Sequence, residues 1–548
     1  MNIPQPWGAQ GLESSTRPIV ISTIGEEKGH AVLEDPLTIK LRCVRKFVPV
    51  LIMVFAGFGV SSSLASAAYD PGDPAQKAEY DAALALAAEG YEYGMPVLNM
   101  DRTFRTSTSV NVNDGRGGGS VNQFSHFTKL ADAEDRTVVL PNSDTLYSMA
   151  WLDLRKGPLV IHTKKTRRFH VLELLDPWQE NFANIGSPPR GHPDGKYLVV
   201  PKGWKGRTPK GLTRITARYN RVWIIGRTVI FNKADQANVR KIQKTYRIVP
   251  LKRWNPKKPY SYKPPKPKRP DRTRMEFHVP GTGPGEDPAT FFDALGNQLK
   301  RFPPKKADAP ILERLKTLGV GPGLHPVAGG ELSDAQLEAM RDAVASGPGN
   351  LIAALLARYQ ETFEAQNGWF AAETGTYGTN YRARALVDKF GLGAPVPWVS
   401  VYPLALLDRT KSPLTGTKRY VAHFTPETAR PPVKFFWSMT LYDNDGFLVD
   451  NVDDRYLIND RSKPKYNPDG SLDIYIQPTR PANPAQARNW LPSPPEGSAT
   501  RGFRVLMRLY GLSPRGIKKV VNGTGWQGPS ILPCGEGNQS STGVACAS

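Results

Sequence analysis

Short apolar runs with period-two alternation fall into two separate blocks, and this pattern constrains the fold more than any other feature of the chain. Between 137 and 231 the runs are TVVL, LYSMAWLDL, PLVIH, FHVLELL, YLVV and RVWIIGRTVI; between 398 and 510 they are WVSVYPLAL, RYVAHF, KFFWSMTLYD, FLVDN, LDIYIQP and FRVLMRLYG. Alternation puts successive side chains on opposite faces of a strand, so each run offers one face to a core. Turn residues separate the runs and no helices alternate with them, which argues for antiparallel sheets and against a parallel, doubly wound one. With 50 Gly and 50 Pro in 548 residues, the chain is also poor material for a helix bundle or coiled coil. The expected fold class is α+β, mainly β, with two antiparallel β-sandwich (jelly-roll-like) domains joined by a helical segment.

Helical spacing appears outside the two blocks. Asp73-Pro74 supplies an N-cap acid and a first-turn proline, and Tyr80, Leu84, Ala88 and Tyr91 recur at helical spacing until Gly94 and Pro96 are expected to stop the helix. Asp287-Pro288 starts a second helix, and Asp308 precedes a third that ends at Gly319. Ser333 with Gln336 forms a capping box ahead of Leu337 and Met340, and a further helical stretch carries Leu351, Leu355, Tyr359 and Phe363. A short echo, YSMAWLD against WSMTLYD, suggests that the two sandwiches are alike. The chain then divides as follows: leader 1–68, N-terminal helix and first sandwich 69–235, basic Pro-rich linker 236–284, helical segment 285–395, second sandwich 396–515, and C-terminal tail 516–548.

The leader has the layout of an export signal. Arg42, Arg45 and Lys46 precede an apolar run from Phe47 to Val60, and small residues follow, with cleavage expected near Ala67 or Ala68. The run is too short to span a bilayer as a stable helix, so no transmembrane helix is expected in the mature chain. Residues 1–40 lack the signal layout, which puts the expected functional start downstream of Met1. Cys43 falls in the leader, leaving Cys534 and Cys546 to form one disulfide in an oxidising compartment. The expected localisation is extracellular, periplasmic or cell envelope.

The formal net charge of +22 is concentrated locally. Residues 240–274 hold fourteen basic side chains and one acidic, Asp271, among many prolines. Such a stretch reads first as a solvated connector. Its second reading is a polyanion contact, with Trp254, Tyr260 and Tyr262 as stacking groups. For an exported chain an anionic envelope polymer is the expected partner, and nucleic acid is not.

No H-E-x-x-H, C-x-x-C, G-x-S-x-G or G-x-x-x-x-G-K-[ST] occurs, and the histidines are not paired at ligand spacing. No cofactor and no metal site are therefore expected. The densest polar cluster is PNSDTLYSMAWLDL at 141–154. A strand from Leu146 to Leu154 would place Tyr147, Met149, Trp151 and Asp153 on one face, with Asn142 and Asp144 in the entering turn. Turn capping by Asn142 and Asp144 is the ordinary reading. The functional reading makes Asp144 an acid/base, with Tyr147 beside it and Asn142 and Trp151 as substrate contacts. Arg384 and Arg227, each flanked by apolar residues, need partners if buried, and Asp144 or Asp176 is expected to supply them. Trp437 in the second block completes the candidate substrate contacts, although aromatic residues at strand spacing are usually core.

Taken in order, PNSDTLYSMAWLDL, LLDPWQENFANIG, RVWIIGRT, KFFWSMTLYD, DGSLDIYIQ, NWLPSPP and FRVLMRLYG resemble the bacterial exported proteins that pair domain of unknown function 1254 with domain of unknown function 1214. The resemblance covers most of residues 75–515 and implies two β-sandwich domains joined by helices, with no general activity to carry over. The expectation for function is an exported hydrolase or lyase acting on an envelope-associated or imported organic substrate. In that reading Asp144 and Tyr147 do the chemistry, and Arg384 clamps an anion in a cleft between the sandwiches and the helices. The competing expectation is a non-catalytic protein that docks on envelope polyanion through 240–274.

Overall fold

Asp73 caps the first helix, Pro74–Thr108, by accepting from the backbone N–H groups of Ala75 and Gln76. The computed structural model describes residues 68–548 apart from 137–138, 189, 499–500, 536–539, 541–543 and 547–548. The expected export signal and Cys43 lie outside the described residues. Contrary to the sequence reading, Gly94 and Pro96 do not end this helix. Gly94 is where a second helix crosses: a Cβ there would sit 2.7 Å from Leu295 Cδ2. An interior proline costs about 3 kcal/mol. Val97, Leu98 and Met100 beyond it are buried, each stabilising by roughly 1.5–3 kcal/mol, and that outweighs the break.

The same logic fuses two expected helical stretches into one, Asp334–Thr362, which runs through Pro348. Its capping box forms, with Gln336 N donating to Ser333 Oγ at 3.1 Å. Thr290–Arg301, Ala309–Leu315 and Tyr381–Gly391 pack in the same layer, and Gly319 closes the 3-10 extension of Ala309–Leu315 in a left-handed conformation (φ 65°). Tyr91, Phe291, Phe292, Leu295, Leu315 and Met340 share the core between these helices.

In the first β block a five-stranded antiparallel sheet orders Ser125–His126, Thr145–Asp153, Arg221–Val229, His170–Leu175 and Asn181–Gly186. A four-stranded sheet orders Thr213–Ala217, Lys196–Pro201, Leu159–His162 and Arg247–Pro250. Ala150, Leu172 and Ile224 from the first share one core with Ile161, Val199 and Ile248 from the second. The second block repeats the scheme. Ser400–Val401, Phe503–Leu512, Val433–Asp443 and Leu457–Asn459 form one sheet, with Leu404–Ala405 also pairing to Phe503–Leu512. Trp490–Pro492, Leu472–Gln477, Tyr420–Phe424 and Ser530–Pro533 form the other. Met439 and Met507 meet Ala422, Ile474 and Ile531 between them. The architecture is thus mixed α/β with several mainly antiparallel sheets. Two pairings are parallel, 196–201 with 213–217 and 475–477 with 490–492; in each the return connection is longer than a hairpin allows.

Two segments are more ordered than expected. Residues 236–250 belong to the folded block and not to a linker: Gln236–Gln243 is a helix, Arg247–Pro250 is a strand, and Val239 and Val249 are buried. The tail likewise supplies a helix, Pro514–Val521, and the strand Ser530–Pro533, whose Leu532 pairs with Val421. The expected Cys534–Cys546 disulfide is formed, with a Cα–Cα distance of 6.0 Å, and Cys546 packs with Val421, Tyr475 and Leu532. Among the described residues no helix is long and apolar enough to cross a membrane.

Candidate functional site at the seam between the two β blocks

The strand Thr145–Asp153 alternates as its sequence dictates, sending Ala150 and Leu152 into the sheet-to-sheet core and Tyr147 and Trp151 to the outer face. Trp151 stacks on Trp223 at 5.2 Å and meets Phe104 edge-on at 5.3 Å, so no ring face is left for a substrate. Trp437 is buried in the second block against Phe424. Both tryptophans are built into apolar clusters, where an indole stabilises most. Tyr147 differs: it is half-buried, with the Arg227 guanidinium 5.3 Å from its ring centroid.

Asn142 and Asp144 begin as the turn residues they resemble. Asn142 Oδ1 accepts from Asp144 N at 2.7 Å, and Asn142 Nδ2 donates to Tyr510 Oη at 2.8 Å across the seam. Asp144 is 1 % exposed. Its carboxylate accepts from Ser438 Oγ, from Asn459 Nδ2 at 3.3 Å and from an Arg461 guanidinium N–H. All three donors belong to the second block. Asp144 is thus one of the points at which the first block is pinned to the second, and Arg461 is in turn stacked over Phe436 at 4.4 Å.

The buried arginines choose partners other than those expected. Arg384 does not pair with Asp144 or Asp176. It binds Glu180 at 2.9 Å and the Gly378 carbonyl at 2.6 Å. Glu180 also takes Lys305 Nζ at 2.9 Å and the backbone N–H groups of Tyr377 and Gly378, both at 3.1 Å. The pair braces the 375–390 segment through one guanidinium nitrogen, Nη2, while the buried Nε of Arg384 has no hydrogen-bond partner among the described residues. Arg227 pairs with Glu173, and its second amino group donates to the Gly393 carbonyl at 3.0 Å. Burial pushes the Glu173 carboxyl up, opposed by Arg227, and Glu173 Oε1 has no partner among the described residues.

Arg508 is the residue the sequence reading missed. It is 3 % exposed and meets no carboxylate within ion-pair distance among the described residues. Its guanidinium donates to Thr440 Oγ1 at 3.0 Å, Tyr442 Oη at 2.6 Å, and the Leu140 and Pro141 carbonyls at 2.9 and 3.3 Å. Half-buried Tyr402 lies within electrostatic reach of both Arg227 and Arg508, and of Tyr147 and Glu173; burial pushes its phenol up to about 12. Tyr510 stacks on Phe436 at 4.1 Å behind them. The signal was present: Arg508 sits in FRVLMRLYG among apolar residues, as Arg227 does in RVWIIGRT, and Glu173 interrupts HVLELL.

A separate buried carboxyl, Asp388, accepts from Asn99 Nδ2 at 2.9 Å and from Gln179 Nε2, while its Oδ2 has no partner among the described residues. Burial pushes it from 3.8 up to about 7. Between those values the folded state holds a proton that the unfolded chain has released, so this group makes stability fall as pH rises and level off above the upper value. Asp388→Asn is expected to flatten that fall and raise the melting temperature above pH ~7. The gain amounts to a few kcal/mol at most, at about 1.4 kcal/mol per pKa unit. Thermal melts of both proteins across this range provide the check; parallel pH profiles would refute it.

Comparison with known proteins follows the two β blocks. Residues 121–250 match the family model described as protein of unknown function DUF1254, and residues 399–514 match DUF1214. The two matches follow one another along the chain in the order DUF1254, then DUF1214. The VPA0106 protein from Vibrio parahaemolyticus, a solved structure, aligns over 83% of this chain and 100% of that one, at 22% identity and a TM-score of 0.55, a likeness of fold. An uncharacterized Burkholderia cenocepacia protein aligns over 80% of this chain and 93% of that one at 13% identity, but its TM-score of 0.36 is too low to carry an argument. No curated protein matches the chain. Asp144, Glu173 and Arg227 lie within the DUF1254 match, and Ser438, Arg461, Arg508 and Tyr402 within the DUF1214 match. The seam is therefore built by both regions.

Proposed function

We propose that the DUF1254–DUF1214 seam takes a small organic anion and that the protein is an exported enzyme of hydrolase or lyase type, its two double-sheet halves acting as β-sandwich frames for the site. The observation that carries this reading is Arg508, a buried guanidinium with no carboxylate partner among the described residues. Its direct hydrogen bonds all go to neutral groups and Asp144 acts on it only through space, so a bound anion would supply the direct charge partner it lacks. Arg508 would receive a substrate carboxylate, and Tyr147 and Tyr402 would line its path from solvent. Glu173, with its orphaned oxygen, would take or give the proton. Asp144 then acts as a positioning residue that holds the two walls together. The disulfide accords with an oxidising compartment.

The test is a turnover screen with carboxylate-bearing esters and hydroxy acids, using the wild type, Tyr147→Phe and Glu173→Gln. Loss of general acid or base assistance is expected to lower kcat by about 10²–10⁴ with the fold intact. Wild-type turnover in both folded variants would overturn the assignment.

A further inference from the structure

Between Asp194 and Asp271 the chain contains twenty-two basic residues and a single acidic one, Asp235. Asp235 is consumed internally by Arg168. Almost the whole net charge of the protein thus belongs to one stretch of the DUF1254 region and the segment that follows it. The fold gathers much of that stretch onto one surface, the outer face of the four-stranded sheet.

That face is apolar at its base, with Val160, Leu198, Val200 and Val249 buried together. The chain leaving the strand Arg247–Pro250 turns back over it, and Leu251, Trp254 and Tyr262 pack onto these residues. Farther on, the segment is fastened again: Asn111 Nδ2 donates to the Arg269 carbonyl at 2.9 Å, Asp271 N donates to Asn111 Oδ1 at 2.8 Å, and Arg274 pairs with Asp114 at 2.5 Å. The Pro-rich segment is therefore a strap held at both ends, not a loose connector. Its lysines, Lys257, Lys258, Lys263, Lys266 and Lys268, are all exposed along it. Lys202, Lys205 and Lys210 are exposed on the neighbouring loop, whose Trp204 and Leu212 join the same apolar base.

The aromatic rings on this face are already engaged. Lys196 lies over Trp254, Arg214 over Trp204 and Arg247 over Tyr260, at 5.9, 5.3 and 5.3 Å from the ring centroids, and Tyr260 also packs on His162 at 4.9 Å. His162 registers the local field: its proton affinity is lowered by burial and then by Lys196 and Arg247. Tyr260, 40 % exposed, is the most open of these rings, and Trp204, Trp254 and Tyr262 are half-buried, so the face offers one stacking platform and not a row of them for successive nucleic-acid bases. The charge is carried mainly by lysine, a hydrated point charge suited to diffuse attraction along a polyanion, whereas the arginine fork clasps single phosphate or carboxylate groups.

We infer that this strapped face is a docking surface for a linear acidic polysaccharide, which lies along the extended row of lysines and is held by charge complementarity. The surface is separate from the seam, so it does not depend on the enzymatic reading.

The test is binding of the full chain to alginate over a salt titration, with neutral dextran, anionic phosphatidylglycerol vesicles and single-stranded DNA compared at the same ionic strength. Alginate binding is expected to weaken steeply with salt and to exceed binding to the other three. A variant carrying Lys257→Gln, Lys258→Gln, Lys263→Gln, Lys266→Gln and Lys268→Gln is expected to bind at least about tenfold more weakly, with a shallower salt dependence and an unchanged melting temperature. Glu173→Gln is expected to bind alginate like the wild type. Wild-type affinity in the lysine variant, or tighter binding to vesicles or DNA than to alginate, would overturn the proposal.

Discussion

Replacing Asp144 by alanine is expected to lower the stability of the protein by about 3–5 kcal/mol, the usual cost of stranding one member of a buried ion pair. The substitution leaves the Arg461 guanidinium with only the more exposed Asp460, 3.0 Å away, and removes the buried acceptor of Arg461, Ser438 Oγ and Asn459 Nδ2. Asp144→Asn keeps an acceptor and is expected to lose less. Denaturant titrations of both variants, with Arg461→Met and the double substitution closing a thermodynamic cycle, measure the coupling directly. A loss in Asp144→Ala below about 1 kcal/mol would show that the pair does not hold the halves together. The same experiment guards against misreading an activity assay, because lost turnover in Asp144→Ala would follow from lost structure as readily as from lost chemistry.

The second large effect is expected at Glu180, whose carboxylate gathers Arg384, Lys305 and two backbone N–H groups from 377–378. Glu180→Ala strands a guanidinium that is only 2 % exposed, together with two amides, and is expected to cost about 3–5 kcal/mol. Lys305 shares the same carboxylate but is 27 % exposed at its side chain. Lys305→Ala is therefore expected to cost under about 1 kcal/mol. Melting curves of the two variants side by side decide the point, and equal losses would contradict the burial argument.

What the sequence conveyed, and what it withheld, divides along the reach of the interactions. The faces of Thr145–Asp153 were legible because alternation is a local property, and so were the Asp73 cap and the Ser333–Gln336 box. The run of the first helix through Pro96 was not, since it depends on what Gly94 meets 201 positions later at Leu295. Arginine partners were withheld for the same reason. That Arg384 needed a carboxylate followed from its apolar neighbours; that the carboxylate is Glu180 follows only from the fold. Tyr147 and Asp144 are neighbours in sequence, yet they diverge in space, one half-buried beside Arg227 and the other pinned beneath Ser438 and Arg461. Arg508 and Glu173 carried the same signal as Arg227 and could be recognised by it.

The pinning of Asp144 also bears on how the two matched regions can be handled. A fragment ending after the DUF1254 match would carry Asp144 with no guanidinium opposite it, and Leu140 and Pro141 with carbonyls stripped of Arg508 and Tyr442. The complementary fragment would carry Arg461 and Arg508 on a raw face. Each piece expressed alone is therefore expected to be less soluble than the whole chain. Supplied together as two polypeptides, they should reassemble through the same contacts.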